Sequence, residues 1–508
     1  MDKKGKVYLI GAGPGDPGLL TIKGKDALSK ADVVVYDNLA NPFLLRYAKK
    51  GADLIYVGKR AGKHALDQGS INQLLVKLSK KGLNVARLKG GDPFIFGRGG
   101  EEALALFRED IEFEIIPGIT SAISVPAYAG IPLTHREYAS SVTFVTGHEA
   151  DSKQDPNIAW DKIIGSETIV ILMGVSNIKN IKERLIREGL SPDTPFAIIR
   201  NGTLPEQKVL EGRLKDMDEI AEKDKVSPPA IIVIGRVVEL RKKINWLEKK
   251  PLFGKRILIT RPKEQADELI QPLMEMGAYC IPFPTIEIAP PDSWGPLDTA
   301  INRITDYDWI LFTSVNGVRF FFNRLKRLGK DARSLHGLKI GAIGPKTASL
   351  LGDMYIKVDL IPEEYRAEGI AIYFASMDLR GMRFLIPRAE VARDYLPARL
   401  REMGAKVDVV PAYKTVVPDV REEKIKYVKE MLLKGKIDLA IFTSPSTFKN
   451  LLVILRLQED EAKRYFHNTR IACIGPVTGS AVEKSGLSVD ISPERYTIPN
   501  LIKAILKD

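Results

Sequence analysis

Short runs of β-branched and aliphatic residues recur along the whole chain, and amphipathic stretches follow most of them. The runs VYLIG, DVVVYD, FEIIP, TIVILMG and AIIVIG lie in the first half, and RILIT, WILFTS, KIGAIG, RFLIP, LAIFTS and RIACIG in the second. Most end in glycine or a small polar residue, the punctuation expected where a strand gives way to a helix. Continuous apolar runs, rather than strict alternation, predict strands buried on both faces and hence α/β architecture. Functional groups are then expected at the carboxyl ends of strands.

The pattern pauses between Arg241 and Gly254, where Arg241-Lys242-Lys243 and Glu248-Lys249-Lys250-Pro251 precede a fresh strand at Arg256. This predicts an N-terminal domain over 1–245, a linker over 246–253 and a C-terminal domain over 254–508. The second part repeats itself. Arg256–Arg261 resembles Arg383–Arg388, Asp308–Ser314 resembles Asp438–Ser444, and Ile340–Pro345 resembles Ile471–Pro476. Three motifs in one order, each roughly 130 residues from its partner, indicate two copies of one α/β unit. Two such units commonly face each other across a cleft.

Composition narrows the class. A chain of 508 residues with 44% hydrophobic and 28% charged positions can bury large cores. No apolar run approaches the ~18 residues of a membrane span, and no signal-peptide core follows the start, so a cytoplasmic protein is expected. Two cysteines, Cys280 and Cys473, and five scattered histidines argue against a disulfide scaffold or a metal site. The net charge of +12 suits an anionic partner. The candidates are nucleic acid, a membrane surface or a polyanionic small molecule, beside a merely solvated basic surface; the dispersed cations and the lack of a nucleic-acid-binding motif argue against nucleic acid.

Gly11-Ala12-Gly13-Pro14-Gly15 follows the first strand, and Asp37 ends the second, imitating a dinucleotide-binding fold. Pro14 and Pro17 remove backbone donors that a pyrophosphate would need, which argues against that reading. The run Lys89-Gly90-Gly91-Asp92-Pro93-Phe94-Ile95-Phe96-Gly97-Arg98-Gly99-Gly100 is so rich in glycine that a close approach of backbone to a ligand is expected.

These strings, with Pro117-Gly118-Ile119-Thr120-Ser121-Ala122 and Ala129-Gly130-Ile131-Pro132-Leu133-Thr134-His135-Arg136, resemble the tetrapyrrole methylases, and most closely uroporphyrinogen-III C-methyltransferases, from about Lys6 to Leu240. The resemblance implies two α/β lobes, a homodimer, and S-adenosyl-L-methionine bound between the lobes. The implied cofactor contacts are Pro14, Gly90, Gly91, Asp92, Ile95, Thr120, Ser121, Met173, Gly202 and Ala230. It further implies Asp37 as proton acceptor and Lys59 as proton donor. The alternatives are a helix N-cap for Asp37 and a solvated or carboxylate-binding charge for Lys59. Arg60, Lys63, His64, His135, Arg136 and His148 are candidates for binding substrate carboxylates.

From about Gly254 onward, the repeat, the two Phe-Thr-Ser strings and the two Ile-Gly-Pro-x-Thr strings resemble uroporphyrinogen-III synthases. That implies lobes over about 254–285 plus 417–508 and over 290–412, with crossovers near Pro282–Pro284 and Pro411–Tyr413. Tyr413 is then the candidate acid, with Thr313, Ser314, Ser444 and Thr478 lining the cleft. For each serine or threonine a helix N-cap is an equal reading. The joint expectation is a bifunctional enzyme that cyclises hydroxymethylbilane to uroporphyrinogen III and methylates it to precorrin-2. The first strand starts near Val7, leaving no room upstream for a dehydrogenase–chelatase domain, so neither NAD nor metal is expected. Rival readings are a Rossmann oxidoreductase, a two-lobed ligand binder fused to a methylase, and a C-terminal half serving only as a tetrapyrrole-binding scaffold.

Overall fold

The computed structural model describes residues 4–58, 66–147 and 158–507. By compactness the chain divides into one unit of Met1–Ile257 with Gln271–Ile281 and a second of Leu258–Ile270 with Pro282–Asp508.

The first unit holds two five-stranded sheets. Strands β1 (Val7–Gly11), β2 (Val33–Tyr36), β3 (Asp53–Tyr56), β4 (Val85–Lys89) and β5 (Phe113–Ile116) pair in the order β3-β2-β4-β1-β5, all parallel. Alternate residues feed two cores: Val7, Leu9, Val33 and Val35 enter one face, and Ile10, Val34, Ala86 and Leu88 the other. A sheet covered on both sides explains the unbroken apolar runs. Its carboxyl edge gathers the ends of β1, β2 and β4, and therefore Gly11, Asp37 and Gly90.

Strands β6 (Val142–Thr146), β7 (Thr168–Leu172), β8 (Pro195–Arg200), β9 (Lys208–Arg213) and β10 (Ala230–Ile234) form the order β6-β7-β10-β8-β9. Only the β6–β7 pair is parallel. The apolar runs announce these strands but carry no direction, and the β8–β9 hairpin and the return through β10 make the sheet mixed. Its two faces are again packed, by Ile169, Ile171, Ile198 and Ile232 on one side and Val170, Leu172, Ile199 and Val233 on the other.

The C-terminal strands are β11 (Arg256–Ile259), β12 (Tyr279–Pro282), β13 (Glu287–Ala289), β14 (Trp309–Phe312), β15 (Lys339–Ala342), β16 (Arg383–Ala389), β17 (Lys406–Val416), β18 (Leu439–Phe442) and β19 (Arg470–Cys473). They make one sheet in the order β12-β11-β18-β19 and another in the order β13-β17-β16-β14-β15. β14 to β17 run parallel, and β13 pairs antiparallel with β17. The repeat is thus realised as strand–turn–helix units that end at one edge of each sheet. No helix among the described residues is long and apolar enough to cross a membrane.

Candidate functional site

At the carboxyl edge of the first sheet, three glycine-containing loops run so close that side chains are excluded. A Cβ on Gly11 would lie 2.4 Å from the Gly118 Cα, and one on Gly90 would lie 2.5 Å from the Leu39 Cβ. Gly13 and Gly91 exchange backbone hydrogen bonds, N–H of Gly91 to O of Gly13 at 2.8 Å and the reverse at 3.2 Å. Much of the glycine content therefore serves loop against loop. Gly91 differs: it has φ +67°, and a Cβ there would reach into the gap before Ser121 N at 3.7 Å.

Asp92 locks this arrangement. Its Oδ1 accepts from the Phe94 and Ile95 N–H groups at 2.7 and 3.1 Å, and its Oδ2 from Gly118 N–H at 2.9 Å. Both oxygens hold backbone, so Asp92 shapes the loop that carries Ile95. Thr120 caps the helix Ser121–Tyr128 through Oγ1 and Ala122 N–H. Pro14 lies between Gly13 and Gly15, and the neighbouring Asp16 N–H donates to Thr203 Oγ1 at 3.1 Å. That bond brings the Pro14 loop to the Gly202 loop of the second sheet. Gly202 itself is packed on Val125. Met173 follows β7 with φ +54° and is half exposed. Ala230 starts β10 opposite Arg200, and β10 pairs with β7. Met173, Arg200 and Ala230 thus share one edge of the second sheet.

Asp37 ends β2 and caps no helix. Its Oδ2 accepts from Arg87 Nη2 at 3.0 Å, and its Oδ1 from Leu39 N–H at 3.1 Å. Arg87 is buried and its Nε donates to Glu102 Oε1 at 3.1 Å, which also receives Lys89 Nζ at 2.7 Å. Glu102 Oε2 has no partner. Burial, reinforced by the nearby Arg87, lowers the pKa of Lys89. Sequence reasoning missed this cluster, although Arg87 and Lys89 stand two apart on an otherwise apolar strand and so project to one face. Lys59, Arg60, Lys63, His64 and His148 lie outside the described residues. His135 closes a short antiparallel bridge with Ala139.

In the C-terminal half, Ser314 caps the helix Val315–Arg327, its Oγ accepting from Gly317 N–H at 3.0 Å. The same oxygen lies 3.0 Å from the Tyr413 hydroxyl. Tyr413 is buried on β17, and its ring packs at 5.8 Å from Phe320. Thr313 is part-buried beside Ser314. Ser444 and Thr447 form a capping box at the helix Pro445–Leu455. Thr478 is buried in the first turn of the helix Pro476–Glu483. Tyr413 and Ser314 are thus brought together, whereas Ser444 and Thr478 each open a helix after β18 and β19.

The family described as Tetrapyrrole (Corrin/Porphyrin) Methylases matches residues 6–218, and that described as Uroporphyrinogen-III synthase HemD matches residues 257–503. A Ruminiclostridium josui protein named porphyrin biosynthesis protein HemD is 38% identical over 505 residues, covering 99% of this chain and 98% of its own length. The chain belongs to the tetrapyrrole methylase and uroporphyrinogen-III synthase families, one in each half. Over the methylase half, the uroporphyrinogen-III C-methyltransferase of Methanocaldococcus jannaschii is 56% identical across 237 residues, 46% of this chain and 98% of that protein. A crystal structure of a uroporphyrin-III C-methyl transferase from Thermus thermophilus complexed with S-adenyl homocysteine is 38% identical. It covers 46% of this chain and 100% of that one, with a TM-score of 0.41.

The methylase half uses S-adenosylmethionine, as does a relative named S-adenosyl-L-methionine-dependent uroporphyrinogen III methyltransferase, 52% identical over 237 residues. The residues fit such a ligand. The gap beside Gly91 is one that a Cβ would fill, and Arg200 Nε, beside Ala230, is a buried donor with no partner. Among the described residues no cluster of His, Cys, Asp or Glu could hold a metal ion.

Proposed function

We propose that the synthase half closes hydroxymethylbilane to uroporphyrinogen III, with loss of water and inversion of the last ring. The methylase half then methylates that product at C2 and C7, giving precorrin-2 by way of precorrin-1 for siroheme or cobalamin synthesis. S-adenosylmethionine supplies the electrophilic methyl group. The loops around Gly90, Gly91, Asp92, Thr120, Ser121, Pro14, Met173, Gly202 and Ala230 hold it, largely through backbone. Positioning then supplies much of the rate.

Asp37 accepts the proton that the methylated pyrrole must lose. The observation that carries this reading is that Arg87 and the Leu39 N–H fix the Asp37 carboxylate beside the carboxyl end of β4, where Gly90 begins. Lys59 serves as proton donor. In the synthase half, Tyr413 assists departure of the bilane hydroxyl. Its contact with Ser314 Oγ supports this role, because Ser314 is anchored by Gly317 and orients the phenol. Leu104 and Phe107, exposed one helical turn apart on the helix Gly99–Arg108, support a homodimer through the methylase half. Neither Cys280 nor Cys473 is in a disulfide, which supports a cytoplasmic setting.

The test is incubation of the full chain with hydroxymethylbilane, with and without S-adenosylmethionine, followed by isomer analysis and product spectra. The type III isomer and then precorrin-2 are expected. In Tyr413→Phe, closure should slow by roughly 10²–10⁴-fold, and more type I isomer should form. The packing of Tyr413 on Phe320 favours a second reading in which the ring only shapes the cleft. A wild-type rate and isomer ratio in Tyr413→Phe would select that reading. Only type I product from the wild-type chain would reduce the C-terminal half to a scaffold.

A further inference from the structure

The two copies of the repeat differ just after their Gly-Pro turns: Lys346 follows Pro345, whereas Val477 follows Pro476. Lys346 opens the helix Pro345–Asp353, which follows β15. Its Nζ donates to both carboxylate oxygens of Glu268, at 2.9 and 3.0 Å. Glu268 lies on the helix Lys263–Glu275, which follows β11 of the other sheet. Arg261, at the carboxyl end of β11, donates from Nη1 to Glu268 Oε2 at 3.1 Å and from Nη2 to Gln265 Oε1 at 2.9 Å.

One carboxylate is thus held by two cations, one from each sheet, at the edge where both strands end. The Arg261 side chain is 12% exposed, while that of Lys346 is 73% exposed and reaches Glu268 from solvent. Partial desolvation raises the Glu268 pKa, but the bonds from Lys346 and Arg261 outweigh it and hold the carboxyl below its usual range. A half-exposed carboxylate in such a grip can be exchanged for another one. The charge-assisted bonds are conserved in the exchange, so its net cost is small.

We propose that Arg261 and Lys346 form a receptor for a carboxylate side chain of the linear tetrapyrrole, and that Glu268 is its built-in competitor. The inference rests on the reading that this half acts on hydroxymethylbilane. Before substrate arrives, Glu268 joins the two sheets through Lys346. When a substrate carboxylate takes its place, the join passes through the substrate itself, and the folded bilane is fixed between an arginine and a lysine. Val477 leaves the second copy without an equivalent cation, so the receptor orients the bilane in one sense along the pseudo-symmetric cleft.

The test compares two variants of the full chain. Glu268→Gln removes the competitor and should lower KM for hydroxymethylbilane by about 3- to 10-fold, with kcat changed less than about twofold. Lys346→Gln removes a receptor cation. It should raise KM by about 5- to 10-fold and flatten the dependence of KM on ionic strength. A bridge that merely ties the lobes together would be broken equally by both substitutions. Shifts of KM in the same direction, or no shift, would therefore overturn the proposal. Should the wild-type chain not turn over hydroxymethylbilane, the functional reading of this half fails separately. Titration with uroporphyrin, followed by its fluorescence, then reads the receptor alone: opposite shifts of Kd in the two variants sustain it, and equal or absent shifts overturn it.

Discussion

In the methylase half Arg87, Lys89 and Glu102 are buried together, with Asp37 at their exposed end. In the synthase half the buried polar residues among those described are threonines and serines, such as Thr260, Thr285, Thr447 and Thr478. Thr260, Thr285 and Thr447 donate to backbone carbonyls. Thr260 donates to Ile441 O at 2.7 Å, and Thr285 Oγ1 lies 3.1 Å from Thr260 O and 2.9 Å from Thr447 O. Buried charge is costly unless well paired, so a buried cluster signals a task that neutral groups cannot do. Here that task is to fix a carboxylate. The synthase half has no such fully buried charge among its described residues, and pairs such as Lys346 with Glu268 lie nearer the surface, at 73% and 44% side-chain exposure.

The largest effect should come from Glu102. Glu102→Ala leaves Arg87 and Lys89 without their shared partner and should cost about 3–5 kcal/mol in the unfolding transition of the methylase half. Thr285→Val strands backbone carbonyls only and should cost about 1–3 kcal/mol in the synthase half. Urea titrations that give equal losses would break the comparison.

Asp92 comes next. Asp92→Ala releases three backbone N–H groups and lets the Gly90–Ile95 loop relax, so S-adenosylmethionine affinity should fall about 10- to 100-fold by calorimetry. Asp92→Asn, which keeps an acceptor, should fall less. Unchanged affinity in the alanine variant would show that the loop does not hold the cofactor.

The smallest effects separate two equivalent caps. Ser314→Ala and Ser444→Ala should each cost about 1 kcal/mol, since both cap helices of the repeat. Only Ser314 touches Tyr413, so only Ser314→Ala should slow ring closure. Equal rates in the two variants would remove Ser314 from the reaction and leave both serines as caps.

Much of this was legible in the residues. The glycine string could be read because loops that pass within van der Waals distance tolerate no side chain, as at Gly11 and Gly118. The place of Asp37 after the strand Val33–Tyr36 could be read from the apolar run before it, whereas Tyr413 falls inside the long strand β17. The resemblance implies Asp92 as a cofactor contact; what a string of letters does not rank is the Phe94, Ile95 and Gly118 amides that its two oxygens hold. Arg87 was visible only as a letter before the glycines. Its role depends on Glu102, fifteen residues and a loop away, and on Asp37 across a strand pair.

The sequence by itself determined the α/β class, the repeat of the C-terminal half and the backbone-lined loops, because hydrophobic period, repeated strings and glycine are local constraints that the chain must satisfy wherever it goes. Only the tertiary structure decided that the second sheet is mixed, since an apolar strand pairs equally well in either direction. It also decided which charges meet. Arg87 with Asp37, and Lys346 with Glu268, are separated by 50 and 78 residues along the chain. Coulomb attraction acts through space, and the packing of sheets and helices, which does not depend on those charges, brings them within reach.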